Sequence, residues 1–236
     1  LLQLLNVQIN GHYLDVGCGS GNYTGALSAK GLNIEGIDIS KEMLTKARQK
    51  HPTIQFLEAD ARQLPYKNDS FDGATCILAT HHIQDNQKLF QECFRVLKNG
   101  NLVIFTATPE QMKHYWLHYY FPEMMQDAMN KMASESEINL LLQQSGFKVL
   151  QSQQFFITKN MQDLFLHAGK YRPSLYLDQK VRDGISSFHL STNPTELNHG
   201  LKKLATDIDS GRINTIIEDY ESDLGEYLFI IGQKER

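Results

Sequence analysis

The sequence predicts an α/β fold, a parallel sheet with helices on both faces, and three observations carry that expectation. Apolar strand-like runs alternate with helical stretches along roughly the first 150 of the 236 residues. The first run passes through Leu14-Asp15-Val16 into Gly17-Cys18-Gly19-Ser20-Gly21-Asn22, three glycines in five positions ahead of a helix. The next two runs lead to acids, Asp38 and Asp60, so polar groups gather where the carboxyl ends of the strands open on one crevice.

The elements are justified in chain order. Strand 12–17 is stopped by the glycines, which allow positive φ and let backbone approach a ligand, and helix 22–30 then offers unpaired N–H groups. Strand 33–38 reads Asn33-Ile34-Glu35-Gly36-Ile37-Asp38, and Ser40 caps helix 41–50 with Glu42 and Met43 in its first turn. Strand 54–58 leads to Asp60, strand 71–79 carries Cys76, helix 86–98 carries Cys93, and strand 101–107 closes the alternating part. Segment 109–132 then holds Tyr115, Trp116, Tyr119, Tyr120, Phe121 and five methionines from Met112 to Met132, a soft aromatic surface that reads as a lid or pocket wall. Helix 134–145, capped by Ser134 or Ser136 and stopped by Gly146, leads into strand 147–157. The last strand is Glu226-Tyr227-Leu228-Phe229-Ile230-Ile231-Gly232. Between these strands, 158–223 has apolar residues at helical spacing (Leu164, Phe165, His167, Ala168; Leu201, Leu204, Ile208; Ile213, Ile216, Ile217). With 109–132 it is expected to form a helical cap beside the crevice.

The glycine turn reads G-x-G-x-G, not the dinucleotide fingerprint G-x-G-x-x-G. Asp15, two residues before the first glycine, would repel a pyrophosphate and attract a ligand ammonium, so the implied ligand carries positive charge. Asp38 stands where a carboxylate can accept both ribose hydroxyls of a nucleoside.

Four segments in sequence, LDVGCGSGNYT, IEGIDISKEMLTKAR, FLEADARQLPYKNDSFDGATCILATHHIQD and LFQECFRVLKNGNLVIFT, resemble the class I S-adenosylmethionine-dependent methyltransferases of the small-molecule, type 11-like branch. The resemblance covers roughly the first 150 residues. It implies a Rossmann-like seven-stranded sheet, mostly parallel with the last strand antiparallel, and S-adenosyl-L-methionine as cofactor with S-adenosyl-L-homocysteine as product. By the same resemblance Asp38 binds the ribose hydroxyls, with Ile39 beside it. Asp60 and Ala61 meet the adenine edge, and Gly17, Cys18, Gly19 and Gly21 pass under the methionine part. The backbone at Leu78 and Ala79 lies beside its amino group. Tyr23, next to the loop, lies against the methionine moiety or packs on the sheet. Asn99-Gly100-Asn101 departs from the family, which often has a second glycine there. The two last strands would pair antiparallel in the family through a short hairpin, whereas about 65 residues separate them here. The domain plan is therefore a cofactor-binding core of 1–157 plus 224–236, with cap insertions at 109–132 and 158–223. A helix ahead of the core often covers the cofactor in the family, and a chain that opens on Leu1 is expected to lack an upstream segment.

A formal net charge of −4 gives no basic footprint, so nucleic acid is not an expected partner. No run of about 18 apolar residues is present to enter a membrane, and no signal peptide begins the chain, so a cytoplasmic enzyme is expected. Cys18, Cys76 and Cys93 read as buried thiols without a disulfide framework.

A sulfonium methyl is already activated, so transfer to a small organic acceptor needs alignment and exclusion of water more than covalent catalysis. Where a base is needed, Thr80, His81 and His82 come directly after the fourth strand; for His82 the other reading is a cap of the strand-to-helix turn. Tyr115, Tyr119 and Tyr120, with Trp116, form either an aromatic wall of the acceptor pocket or a packed helix. His114 and His118 share a helical face but lack a further ligand, so no metal is expected. Arg172, Arg182 and Arg212 are candidates for an acidic acceptor or solvated surface residues. Two other classes explain parts of the pattern. A cofactor-binding protein without turnover would keep every cofactor residue, and an NAD-dependent oxidoreductase would share the glycine turn and Asp38 but not Asp15, the glycine spacing or Asp60-Ala61.

Overall fold

The computed structural model describes residues 1–191 and 193–235. Seven strands form one sheet: β1 (His12–Val16), β2 (Asn33–Asp38), β3 (Phe56–Glu58), β4 (Gly73–Ile77), β5 (Asn101–Thr106), β6 (Lys148–Phe155) and β7 (Tyr227–Gln233), in the order β3-β2-β1-β4-β5-β7-β6. The pairs β1–β2, β2–β3, β1–β4 and β4–β5 are parallel. Strand β7 runs the other way: Lys234 N–H donates to Gly100 O ahead of β5, while the Phe229 ring lies 4.6 Å from that of Phe105 near the end of β5. The sheet is thus the mostly parallel one with an antiparallel last strand that the sequence predicts. Strands β4 and β5 are buried along their whole length, as apolar strands covered on both faces must be.

The helices are α1 (Leu2–Leu5), α2 (Asn22–Ser28), α3 (Lys41–Lys50), α4 (Asn86–Val96), α5 (Pro109–Lys113), α6 (Leu117–Tyr120), α7 (Pro122–Met129), α8 (Glu135–Gln144), α9 (Gln179–Asp183), α10 (Ser186–Ser191), α11 (Pro194–Asp209) and α12 (Ile213–Asp219). Local chemistry accounts for several of their ends. Ser40 Oγ accepts from Met43 N–H to open α3, and Asp85 accepts from Lys88 N–H to open α4. Thr108 and Gln111 form a reciprocal capping box at α5, with Pro109 at its first position. Gly146, at φ 99°, comes after α8 in the left-handed region that a chain leaving a helix favours.

The chain divides into two compact units. The first comprises Leu1–Thr106, Glu135–Gln153 and Phe229–Arg236 and holds most of the sheet. The second comprises Ala107–Ser134 and Gln154–Leu228. Its interior is aromatic and methionine-rich, with Trp116, Tyr176, Phe121, Met112, Met124 and Met125 fully or almost fully buried. Gly200 of α11 lets that helix pass Phe121 closely, since a Cβ there would lie 2.4 Å from the ring.

The helical spacing at Leu164, Phe165, His167 and Ala168 is not realised as a helix. Residues 156–172 are turns and irregular backbone. Side chains take the backbone groups that a helix would pair: Tyr176 Oη donates to Leu166 O at 2.5 Å and accepts from Gly169 N–H at 3.0 Å, and His167 N–H donates to Tyr227 Oη at 3.2 Å.

Candidate functional site

The strand order reverses between β1 and β4, and the site is built from the turns beyond their carboxyl ends and beyond that of β2. After β1 the chain turns through Gly17, Gly19 and Gly21 at φ 72°, 53° and 76°, a conformation in which L side chains are strained. The three glycines have different surroundings. A Cβ on Gly17 would lie 2.5 Å from the Ala79 methyl, and one on Gly21 would lie 2.9 Å from the Phe56 ring. At Gly19 a Cβ would meet nothing within 4 Å, so this glycine faces open space.

Asp38 fastens the turn. Its Oδ2 accepts from Gly19 N–H and its Oδ1 from Ser40 N–H, both at 2.8 Å, and the side chain remains half-exposed. Each carboxylate oxygen keeps acceptor capacity beyond its one backbone partner. Ile39 beside it is 67% exposed, and Met43 is exposed on the next helical turn, so an apolar surface adjoins the carboxylate. Cys18 turns its side chain inward among Leu44, Ala47 and Phe56, which leaves only its backbone to face the turn's open side.

Asp15 lies beneath this loop, 1% exposed. Its oxygens accept from Thr24 Oγ1 at 2.6 Å and Thr75 Oγ1 at 2.8 Å. Burial pushes its carboxyl up to about 6, the two hydroxyls pull it down, and Asp38 pushes it up again. One carboxylate therefore ties β1, α2 and β4 together under the glycines. Tyr23 is half-buried in the first turn of α2.

On the β4 side, Leu78 has φ 52° and donates its N–H to Phe105 O at 2.8 Å. A left-handed leucine is a strained residue at the end of a strand, held by its neighbours. Ala79, 6% exposed, faces Gly17, and Thr80, His81 and His82 form a short 3₁₀ turn. The His81 and His82 rings lie 4.0 Å apart at 45°, with His82 exposed and His81 half-buried. Asp60 accepts from Arg62 in a fork, Nε at 3.0 Å and Nη2 at 2.7 Å, which holds its carboxyl below the usual range; Ala61 beside it is buried.

The first unit thus brings Asp15, Gly17, Cys18, Gly19, Gly21, Tyr23, Asp38, Ile39, Leu78 and Ala79 onto consecutive strand ends, with Asp60, Ala61, His81 and His82 on the flanking turns. Thr24, Thr75 and Arg62 are supporting residues that sequence reasoning does not single out. Thr75 has a register signal, since it is the partner of Asp15 across the β1–β4 pair. Tyr115, Tyr119 and Tyr120 belong to the second unit. Tyr115 is buried, its hydroxyl shared between His167 O at 2.9 Å and Tyr176 Oη at 2.8 Å, with its ring stacked on His167. Tyr120 is buried and donates to Asp207 at 2.9 Å. Tyr119 stays half-exposed, with Lys203 Nζ 3.5 Å above its ring and Arg212 donating to its hydroxyl. Arg172 and Arg182 donate to the backbone carbonyls of Met161 and Tyr176. Among the described residues no three His, Cys, Asp or Glu side chains are grouped to hold a metal ion, and no helix is long and apolar enough to cross a membrane.

Known proteins match over the same segments. The methyltransferase domain family matches residues 14–105. A demethylmenaquinone methyltransferase of Staphylococcus epidermidis is 30% identical over 203 residues, 80% of this chain and 79% of that protein. One from Oceanobacillus iheyensis is 27% identical over 199 residues, 80% of each. A crystal structure described as that of a methyltransferase from an antibiotic biosynthesis pathway of Anabaena variabilis ATCC 29413 is 33% identical, with a TM-score of 0.88 over 98% of this chain and 94% of that one. Relatives of this extent, on a sheet with this strand order and this glycine turn, mean that the chain belongs to the class I S-adenosylmethionine-dependent methyltransferases and is an enzyme of that class.

Proposed function

We propose that this enzyme binds S-adenosyl-L-methionine at the glycine turn and Asp38, and transfers its methyl group to a small organic acceptor by direct in-line displacement, leaving S-adenosyl-L-homocysteine. The observation that carries the reading is Asp38, held by Gly19 and Ser40 N–H groups beside the one glycine of the turn that faces open space. The residues fit the cofactor. Asp38 retains acceptor capacity for two ribose hydroxyls, exposed Ile39 offers an apolar face to a purine, and Gly19 leaves room for backbone contact. Ala61 and the Asp60 backbone are assigned to the adenine edge, Leu78 and Ala79 to the amino group of the methionine part, and Tyr23 to its flank.

When bound, the cofactor supplies an activated methyl on a positively charged sulfur. The protein's own task is to orient the acceptor, exclude water and, for a poorly acidic nucleophile, receive a proton. His82, exposed in the 3₁₀ turn after β4, is assigned that last role, with the His81 ring tilted 4.0 Å from it. We assign cofactor binding to 1–157 plus 224–236 and acceptor recognition to the insertions 109–132 and 158–223. Of the three tyrosines there, Tyr119 has the half-exposed ring, Tyr120 packs edge-on against it, and Tyr115 is buried. The relatives' names favour a small organic acceptor.

The test is methyl transfer from labelled S-adenosyl-L-methionine to a panel that starts with a short-chain demethylmenaquinone and extends to phenols, carboxylic acids and amines. A labelled product with a matching yield of S-adenosyl-L-homocysteine supports the reading. Tight cofactor binding with no transfer to any class would favour a silent binding protein.

A further inference from the structure

We propose that the segment after β6 that runs through residues 156–180, presenting Phe156, Leu164, Tyr171 and Leu177 among Lys159, Arg172 and Lys180, docks the enzyme on an anionic lipid surface. The second unit carries these residues, and the proposal is independent of the methyl acceptor's identity.

Ten large apolar side chains among the described residues are exposed, and four of them fall between residues 156 and 177: Phe156 at 47%, Leu164 at 42%, Tyr171 at 41% and Leu177 at 37%. Scattered exposed apolar residues are ordinary; a cluster within one folded loop is not. The loop is closed by one carboxylate. Glu226 Oε2 accepts from Ile157 N–H at 2.8 Å and its Oε1 from Lys170 Nζ at 2.5 Å, which ties the backbone next to Phe156 to the side chain of the residue before Tyr171. Lys159 Nζ lies 6.0 Å from the Tyr171 ring centroid and Lys170 Nζ 5.4 Å from it. Arg172 ties the far side by donating to Met161 O. Tyr171 and the ammonium groups of Lys159 and Lys170 therefore lie together.

Charge selects the partner. Residues 156–182 contain Lys159, Lys170, Arg172, Lys180 and Arg182 against Asp163 and Asp178, in a chain whose formal net charge is −4. Glu226 neutralises Lys170, but Lys159 and Lys180 are exposed and Arg172 donates to a neutral carbonyl. Exposed rings bordered by lysine and arginine match the interfacial zone of a bilayer: the rings enter at headgroup depth, and the long cationic side chains reach anionic headgroups. No helix of the described residues is long and apolar enough to cross a membrane. Attachment is therefore reversible and falls with salt.

The test is flotation of the full chain with vesicles of phosphatidylcholine alone and of phosphatidylcholine mixed equally with phosphatidylglycerol. The expected result is recovery with the anionic vesicles only, lost on raising salt. Lys159→Gln should weaken that binding about fivefold, on the scale of one surface charge, and Phe156→Ser combined with Tyr171→Ser should abolish it. Both variants should retain the wild-type melting temperature and affinity for S-adenosyl-L-methionine, which separates docking from folding and from the cofactor site. Absence of the wild type from both floated fractions would overturn the proposal, as would equal recovery with neutral vesicles or variants that bind like the wild type.

Discussion

Gly17 and Ala79 meet so closely that a Cβ on Gly17 would lie 2.5 Å from the Ala79 methyl. This contact joins the glycine turn after β1 to the strained end of β4, the two segments assigned to the methionine part and its amino group. Gly17→Ala adds this overlap to a φ of 72°. The expected cost is about 1–3 kcal/mol of stability, from the left-handed backbone and the forced shift, together with weaker cofactor binding. Thermal unfolding and cofactor titration of the variant check both. A Gly19→Ala change meets the same backbone strain without the overlap, so it should cost less stability.

Asp15 makes stability depend on pH in an unusual direction for a carboxylate. Its folded value of about 6 lies above the unfolded 3.8, so the folded state favours the protonated form. Its contribution is fully present below the unfolded value of 3.8 and is lost as pH rises through about 6. The difference amounts to roughly 3 kcal/mol at full ionisation. Asp15→Asn removes the titration. Unfolding free energies of variant and wild type, compared at about pH 7.5 and about pH 4.5, should therefore shift in the wild type's favour at the lower pH; a constant difference would contradict this environment for Asp15.

Tyr120→Phe in the second unit deletes the hydroxyl that donates to buried Asp207, whose remaining cation, Arg212, is 3.7 Å away. Leaving that carboxylate under-satisfied should destabilise by about 1–3 kcal/mol. Tyr119→Phe, at a half-exposed ring, should cost well under about 1 kcal/mol, by the usual scale for surface changes. Denaturant unfolding tracked by the fluorescence of Trp116, which lies 5.9 Å edge-on from Tyr120, reports on both.

His82→Ala tests the assigned proton acceptor. On an amine or weakly acidic phenol, kcat should fall about 10²-fold or more with little change in cofactor affinity, whereas a low-pKa carboxylate acceptor should be barely affected. A uniform loss on all acceptors would mark the residue as structural.

Much of the first unit was legible in the sequence because its signals are local. Ser40, Gly146 and the glycines of the turn each act within a few residues, and the alternation of apolar runs with helical stretches marks the strands and helices in chain order. The remainder depends on distant pairings. Thr75 is 60 residues from Asp15, and nothing short of strand register brings them together. Leu78 has no local preference for positive φ; its bond to Phe105 O holds it there. Arg62 is near Asp60 in sequence, but only the bend of the turn forms the fork between them. At 164–168 the spacing is helical and the backbone is not, because hydroxyls of Tyr176 and Tyr227 take the peptide groups. The same burial turns Tyr115 and Tyr120 toward the interior, which spacing alone does not reveal.

Whether Asp38 and the glycine turn hold S-adenosyl-L-methionine is decided by calorimetric titration of the wild type and Asp38→Ala. The expected result is micromolar binding by the wild type, none of NAD, and a loss of about 1.5–3 kcal/mol in the variant, roughly ten- to a hundredfold in affinity. Unchanged affinity in a folded Asp38→Ala would mean that the cofactor does not sit on this carboxylate.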